Sequence, residues 1–230
     1  MQGETVGVGV TGYYLIGFVA FFVSLAVSAW LRATYARWSR VQNASGLTGA
    51  EVAHAILRAN NITNVRVERV PGQLSDHYDP IKRVVRLSDG IYGRASVAGM
   101  AVAAHEVGHA IQHARAYAPL QWRSALAPVA NIGSQFGLLA AMMGLFLGAT
   151  GMLNLGILLF SAAVLFQVIT LPVEFDASRR ALVQLNQLGL VTQRDTGGAR
   201  SVLTAAAMTY VAAAATSIAY LLYFIMASRR

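Results

Sequence analysis

Cysteine is absent from this 230-residue chain, and charged residues make up only 12% of it. Without cysteine the chain can form neither a disulfide framework nor a thiolate zinc site, so any metal must be held by histidine and carboxylate. Hydrophobic residues account for 56% of the chain, which is typical of a membrane protein. The net charge of +8 would suggest nucleic acid as a partner of a soluble protein, but in a membrane protein basic residues first report topology. We therefore expect no nucleic-acid partner.

Three long segments contain no Asp, Glu, Lys or Arg, namely residues 5–31, 124–173 and 201–228. A helix crosses the hydrocarbon layer with about 20 residues, so the first and third segments can each cross once. The middle segment is long enough for two crossings, and the small residues at 148–151 divide it into a hairpin. The sequence therefore predicts about four transmembrane helices in a multi-pass protein of the cell membrane.

The basic residues are distributed unevenly between the connecting segments. Sixteen of the eighteen Lys and Arg lie within residues 32–123 and 174–200, and cytoplasmic loops carry the excess of such residues. We therefore expect both segments in the cytoplasm and the N-terminus outside. Arg32, Arg37 and Arg40 follow the first apolar segment, whereas no basic residue precedes it. That order is wrong for a cleaved signal peptide, so the segment is expected to remain as an anchor.

The first polar segment carries signals for a small α+β arrangement. Thr48, with Glu51 three residues later, forms a capping-box pattern that predicts a helix. Residues 65–68 and 81–87 have the composition of two short strands, which predicts a β-hairpin around the polar loop 71–80. A strand placed just before a helix could pair with an extended peptide, although the same pattern also fits a plain structural hairpin.

The strongest chemical signal is the sequence His105-Glu106-Val107-Gly108-His109 within an alanine-rich stretch that is predicted to be helical. Ser96 can cap the start of this helix. Because four residues make about one helical turn, both imidazoles project from one face and can bind one zinc ion. A carboxylate that reaches the zinc-bound water can take its proton when that water attacks a carbonyl. This is the arrangement of a zinc hydrolase, with Glu106 as the general base.

Gly108 favours a zinc site over the alternative interpretation, in which these residues form only the polar face of an ordinary helix. A glycine inside a helix costs about 1 kcal/mol relative to alanine. Its bare side, between the two histidines, would let another backbone or a substrate approach.

The motif leaves the third zinc ligand open. His113 lies one turn beyond His109, but a helix rises about 5.4 Å per turn, which places a third histidine too far along to share the ion. The longer motif His-Glu-x-x-His-x-x-Gly-x-x-His needs glycine and histidine where this chain has Gln112 and Arg115. The third ligand must therefore come from elsewhere in the chain.

Four blocks of the chain together match a known family: GLTGAE at 46–51, SDHYDP at 75–80, AAHEVGHAIQ at 103–112 and LPVEFDASRR at 171–180. Through these blocks the chain resembles the bacterial membrane zinc metallopeptidases of the YugP type, also called neutral zinc metallopeptidases. More distantly, the chain is similar to the HtpX-type heat-shock proteases and the CAAX prenyl endopeptidases. The resemblance implies a membrane-bound, zinc-dependent protease with one Zn²⁺ per chain.

In those distant relatives a Glu on a later helix completes the zinc site, within the pattern Glu-x-x-x-Asp. The resemblance therefore implies that Glu174 is the third ligand, and the expected topology puts it on the same side of the membrane as the two histidines. Ser178 occupies the position of the Asp in this pattern, so this chain has no carboxylate there to play the role of that Asp. Asp176 follows Glu174 by two residues rather than four and so does not replace it by position.

The oxyanion that forms during peptide hydrolysis needs a donor close to the zinc. The candidates for this role, or for other contacts with the substrate, are His77, Tyr78 and Arg179.

The expected fold is that of a mainly α, polytopic membrane protein with a small α+β, gluzincin-like cytoplasmic portion. Five portions are expected: an N-terminal transmembrane anchor (1–31), a cytoplasmic metallopeptidase portion (32–124), a transmembrane hairpin (125–173), a cytoplasmic helix with the third ligand (174–200) and a C-terminal transmembrane helix (201–230). The expected partners are a peptide or protein substrate and the lipid bilayer.

Two functions are consistent with these residues. The first is an endopeptidase that cleaves membrane-associated or misfolded proteins near the cytoplasmic face. The alternative is a scaffold or adaptor in a larger membrane complex, whose partner the sequence does not name, with a structural or vestigial zinc site. Glu106 favours the enzyme, since a structural zinc site does not need a carboxylate beside its first histidine.

The expected topology can be tested with single cysteines, because the chain has none of its own. In intact cells an impermeant thiol reagent should label Ala149→Cys, at the tip of the hairpin, and should leave Gln193→Cys unlabelled. Both variants should react once the cells are permeabilised. Labelling of Gln193→Cys alone in intact cells would place the zinc motif outside the cytoplasm.

Overall fold

The computed structural model describes residues 2–229, and of residues 2–10 it describes the backbone alone. Contacts divide the chain into two compact units. The apolar unit consists of Met1–Ser28, Trp122–Leu171 and Thr209–Arg230, and the mixed unit consists of Ala29–Gln121 and Pro172–Met208.

The described residues form mainly helices, as the sequence predicts. In chain order the elements are α1 (Gln2–Ser39), α2 (Gly49–Ala59), β1 (Arg66–Val70), β2 (His77–Asp79), β3 (Val84–Ser88), α3 (Asp89–Tyr92), α4 (Val97–Ala114), α5 (Ala118–Ile132), a π-helical turn (Gly133–Gly137), α6 (Leu138–Leu147), α7 (Thr150–Gln187) and α8 (Gln193–Ser228).

Four helical stretches are long and apolar enough to cross a membrane, in agreement with the predicted number of spans: Thr11–Ser39, Ala118–Leu147, Thr150–Gln187 and Gln193–Ser228. The predicted turn of the hairpin is confirmed, because α6 ends at Leu147 and Gly148 has φ of 65°. Within the apolar unit, Gly156 of α7 lies against the backbone of Ala141 in α6, where a side chain would collide. The two helices therefore approach each other backbone to backbone.

The structure corrects the helix boundary at Pro172. The sequence predicts that the cytoplasmic helix within 174–200 is separate from the preceding transmembrane hairpin, whereas α7 continues through Pro172 as one helix. A proline inside a helix removes one backbone hydrogen bond. Packing compensates for that loss, since the residues that follow at four-residue spacing are all completely buried: Val173, Ala177, Ala181 and Leu185.

The sheet of the mixed unit has three strands in the order β1-β3-β2, one strand more than the sequence predicts. A hairpin is present, as predicted, but its strands are β2 and β3, which pair antiparallel. The two strands that the sequence predicts, β1 and β3, pair in parallel instead. A parallel pair needs a connection of about a dozen residues or more, and residues 71–83 supply it. β2 lies inside the predicted loop 71–80. The sequence does not predict this strand, because the three residues His-Tyr-Asp lack the alternation of apolar and polar residues that would mark it.

The core of the mixed unit places α4 among α2, β3, α7 and α8. The predicted apolar side of α2 is buried, with Val52 and Ile56 fully inaccessible. The predicted helix caps are also confirmed, since Thr48 and Glu51 form a reciprocal capping box and the Ser96 hydroxyl accepts a hydrogen bond from the Gly99 N–H. These contacts fix α4 from its first turn and present the zinc motif to α7.

Candidate metal centre

The two motif histidines and Glu174 meet at one point inside the mixed unit. Nε2 of His105 lies 3.3 Å from Oε2 of Glu174, and Nε2 of His109 lies 3.6 Å from the same oxygen. One donor atom from each of the three residues lies within 4.8 Å of the other two. Ligands about 2 Å from a tetrahedral zinc are separated by about 3.4 Å, so the three donor atoms are close to the spacing that one zinc ion requires.

Gly108 is what lets α7 approach closely enough for this contact. A Cβ atom at Gly108 would lie 2.6 Å from the carbonyl oxygen of Ala177, which is well inside van der Waals contact. Ala177 follows Glu174 by three residues on α7, so any side chain at position 108 would push the third donor away. The sequence left open whether a backbone or a substrate occupies the bare side of this glycine, and the structure places a backbone there.

The second nitrogen of each histidine ring has a partner of its own. Nδ1 of His105 lies 3.1 Å from the hydroxyl oxygen of Ser178, and Nδ1 of His109 lies 3.0 Å from the amide oxygen of Gln112. Both rings are thereby oriented with Nε2 towards Glu174. Partners of this kind orient metal-binding histidines and set their tautomers.

Ser178, which occupies the Asp position of the Glu-x-x-x-Asp pattern, contacts the first histidine of the motif through its hydroxyl. Asp176 does not contact either histidine directly and instead accepts a hydrogen bond from Gln112.

Sequence reasoning noted Gln112 only as a departure from the longer zinc motif and gave it no role. The signal that could have found it is its position three residues after His109, on the same face of the helix.

Glu106 is only 8% exposed. It does not belong to the group of three residues, His105, His109 and Glu174, whose donor atoms lie close together. Its negative charge nevertheless acts on His109. Burial disfavours the charged form of His109, but the hydrogen bond to Glu174 and the negative charge of that carboxylate outweigh burial and raise the pKa of His109 above its ordinary value. An environment that raises the pKa of an imidazole favours positive charge beside it, and a divalent cation supplies such charge.

Of the three candidates for oxyanion or substrate contact, only Tyr78 reaches the zinc-motif helix. Its hydroxyl lies 2.8 Å from Nδ1 of His113, one turn beyond His109. His77 precedes it on β2 and so points to the other face of the sheet, where its ring contacts Arg86. Arg179 donates to Asp176, and its side chain is 69% exposed. The structure therefore does not bring His77 or Arg179 to the three donors.

Comparisons with known proteins indicate which metal the site would hold. A family model described as "Putative neutral zinc metallopeptidase" matches residues 13–229. The protein named "Putative membrane protease YugP" from Bacillus subtilis (strain 168) is 46% identical over 207 residues, which cover 88% of this chain and 92% of that protein. No solved structure gives a significant match. The family implies Zn²⁺, and two imidazoles with one carboxylate are a donor set that catalytic zinc sites use.

The close approach at Gly108 predicts that Gly108→Ala loses metal. The added methyl group would collide with the Ala177 carbonyl and displace Glu174, although alanine is the better helix former by about 1 kcal/mol. We expect purified wild-type protein to carry about one zinc per chain and Gly108→Ala to carry less than half as much, as measured by elemental analysis.

Three further variants are needed to interpret this result. Gly197→Ala is the matched glycine control, because a Cβ atom at this helical position meets nothing within 4 Å, and it should keep its zinc. Glu174→Ala should lose zinc as Gly108→Ala does, whereas His113→Ala should keep it. Full zinc content in Gly108→Ala would show that the approach of α7 does not control the site.

Proposed function

Because this chain belongs to the family of neutral zinc metallopeptidases, we propose that it is a zinc-dependent endopeptidase with a gluzincin-like site. The observation that carries the proposal is the meeting of His105, His109 and Glu174 at one buried point, with the second carboxylate of Glu106 beside it. In this proposal the first three residues bind the metal and Glu106 is the catalytic residue. A scaffold with a structural zinc would not need the fourth residue.

Bound zinc would supply a Lewis acid that polarises the peptide carbonyl and lowers the pKa of a water molecule to about 7. Glu106 then accepts the proton of the attacking water and passes it to the leaving amine. Burial suits this role, because a carboxylate shielded from bulk water exchanges protons with the substrate rather than with solvent.

Tyr78 is the best placed of the candidates for stabilising the oxyanion. It lies on β2 beside α4, and its hydroxyl is already oriented by His113. In this role the hydroxyl donates a hydrogen bond to the oxyanion. A hydroxyl that is oriented before substrate binds needs little reorganisation in the transition state.

The substrate is expected to bind as an extended strand along β2. β2 lies at the edge of the three-stranded sheet, with β3 on its other side. Extended peptides add to such edges through backbone hydrogen bonds, and side-chain pockets supply specificity. A peptide bound in this way would run along α4 and past the two histidines.

The site is further proposed to act at the cytoplasmic surface of the membrane. Glu174 directly follows the uncharged run 124–173, and a helix rises only about 1.5 Å per residue. The third ligand would then lie within several ångströms of the membrane surface, on the side where the basic residues concentrate. The substrates would be juxtamembrane or unfolded segments of membrane-associated proteins, since peptide bonds within an intact transmembrane helix are already hydrogen-bonded and shielded from water.

The proposal can be tested with one cleavable sequence tethered to a membrane anchor through spacers of increasing length. We expect reconstituted wild-type protein to cleave best with short spacers and Glu106→Gln to be slower by at least about a hundredfold, the usual contribution of a general base. Cleavage that does not depend on spacer length would remove the juxtamembrane assignment. Undiminished cleavage by Glu106→Gln would remove Glu106 from the mechanism.

A further inference from the structure

Gln112 is completely buried, and its side-chain amide makes three hydrogen bonds. Nε2 donates to the carbonyl oxygen of Val173 over 2.8 Å and to Oδ2 of Asp176 over 3.0 Å. A carbonyl and a carboxylate can only accept, so the amide cannot be turned around without placing its oxygen against two acceptors. The orientation of Gln112 is therefore fixed by α7, and Oε1 must face His109.

The fixed amide determines which nitrogen of His109 carries the proton. Oε1 of Gln112 lies 3.0 Å from Nδ1 of His109, and an amide oxygen can only accept. The proton of the neutral ring must therefore sit on Nδ1. The lone pair is then on Nε2, the nitrogen that faces Glu174 and would bind the metal.

We propose that Gln112 and Asp176 form a positioning relay that holds His109 in its metal-binding tautomer. The inference rests on the metal site of the proposed function and adds two residues that do not touch the metal. Asp176 orients Gln112, and Gln112 orients His109. Asp176 is held in turn by the guanidinium groups of Arg179 and Arg180, which donate to its two carboxylate oxygens.

The relay acts on one histidine and not on the other. His105 has the hydroxyl of Ser178 at its Nδ1, and a hydroxyl can either donate or accept. Ser178 can therefore orient the ring of His105 without specifying its tautomer. Loss of the relay should thus weaken one of the two imidazole ligands selectively.

The test is the zinc affinity of Gln112→Met, which nearly preserves the side-chain volume and removes all three hydrogen bonds. We expect the affinity, measured by competition with a chelator, to fall by about 10- to 100-fold, the usual effect of losing such a partner. Gln184→Met is the control with the same substitution, since Gln184 lies on α7 and bonds to Asn60 rather than to the site. It should bind zinc like wild type.

A conservative variant separates positioning from simple packing. Asp176→Asn keeps an oxygen that can accept from Gln112 and should retain most of the zinc affinity, whereas Asp176→Leu should lose it. The visible spectrum of the Co²⁺-substituted protein should change in Gln112→Met and Asp176→Leu only. Zinc binding by Gln112→Met as tight as in wild type would overturn the relay.

If Gln112→Met does not fold, the Asp176 pair decides the question, and equal affinities of Asp176→Asn and Asp176→Leu would reject the relay. Because the readout is metal binding, a protein that bound zinc but cleaved nothing would refute the peptidase and leave the relay standing.

A different observation carries a second inference, about specificity. A cavity of about 420 Å³ lies beside the last turn of α4. Ala110, His113 and Ala114 form the wall on α4, and the loop 61–65, Tyr78 and Arg83 form the remaining lining. The two alanines leave the space open.

The chemistry of this cavity suits a carboxylate. Its lining contains no Asp or Glu, whereas Arg83 supplies a positive charge and Asn61, Thr63 and Asn64 can supply hydrogen-bond donors. Arg83 forms no ion pair with any residue between 2 and 229. Its backbone has φ of 51°, a conformation that is rare for a bulky residue and that concentrates at functional sites.

The position of the cavity relates it to the scissile bond. His113 lies one turn, about 5.4 Å, beyond His109 along α4, and an extended peptide advances about 3.4 Å per residue. A substrate strand on β2 would therefore place a side chain in the cavity about two residues from the bond that is cleaved. We infer that this cavity is a subsite that selects an acidic side chain of the substrate.

Because the subsite rests on the proposed function, the test measures binding and compares peptides that differ only by Glu, Gln or Lys at one position, with each position of the peptide varied in turn. We expect the Glu106→Gln protein to bind the Glu peptide about fivefold more tightly than the Gln peptide at one position, the effect of a partly exposed ion pair. Adding Arg83→Glu should reverse the preference towards Lys. Lys82→Glu is the matched control, because it makes the same charge change next to Arg83 but does not line the cavity.

An equal shift in Lys82→Glu, or no charge preference at any position, would overturn the subsite. Peptides that wild-type protein cleaves without such a preference would leave the proposed peptidase intact. Peptides that bind with the expected preference but are never cleaved would refute the peptidase and keep the subsite.

Discussion

The close contact between the backbones of α4 and α7 is the constraint on which the candidate site depends. Gly108 and the carbonyl of Ala177 meet at a distance that excludes even a methyl group. The contact fixes both the separation of the two helices and their register. Because the side chains on the facing turn of α7 project towards α4 from this fixed distance, the glycine between the two histidines is as necessary to the arrangement as the histidines.

From this contact a single stretch of α7 supplies three different functions. Glu174 meets the Nε2 atoms of both histidines, Asp176 fixes Gln112, and Ser178 contacts the far side of His105. A buried carboxylate without such partners would be costly, and Glu174 lies within 3.6 Å of both imidazoles. The apolar residues between them, such as Ala177, fill the core of the mixed unit. The polar side chains on this stretch of α7 therefore match polar groups on α4.

The continuity of α7 through Pro172 gives this arrangement its stiffness. A break at the proline would leave the third donor on a short helix with its own freedom to move. Instead, Glu174 lies in the interior of one continuous helix, two residues after Pro172. Metal ligands must be held within a few tenths of an ångström, and a long helix packed along one side can do this better than a loop. The cost of one backbone hydrogen bond at Pro172 is small by comparison with the burial of the four residues that follow at helical spacing.

The sequence by itself determined the features that depend on local spacing. The uncharged runs predicted the four apolar helices, and the capping patterns at Thr48 and Ser96 predicted two helix starts. The four-residue spacing predicted that His105 and His109 lie on one face of their helix. Glu174 came from the resemblance to a family, since no spacing rule reaches across the 65 residues between it and His109. Only the tertiary structure decided the rest: the third strand β2, the parallel pairing of β1 with β3, the unbroken helix at Pro172, and the roles of Gln112 and Ser178. Each of these depends on partners distant in the chain, as with Ser178 and His105, which are 73 residues apart, and no local pattern specifies which distant groups will meet.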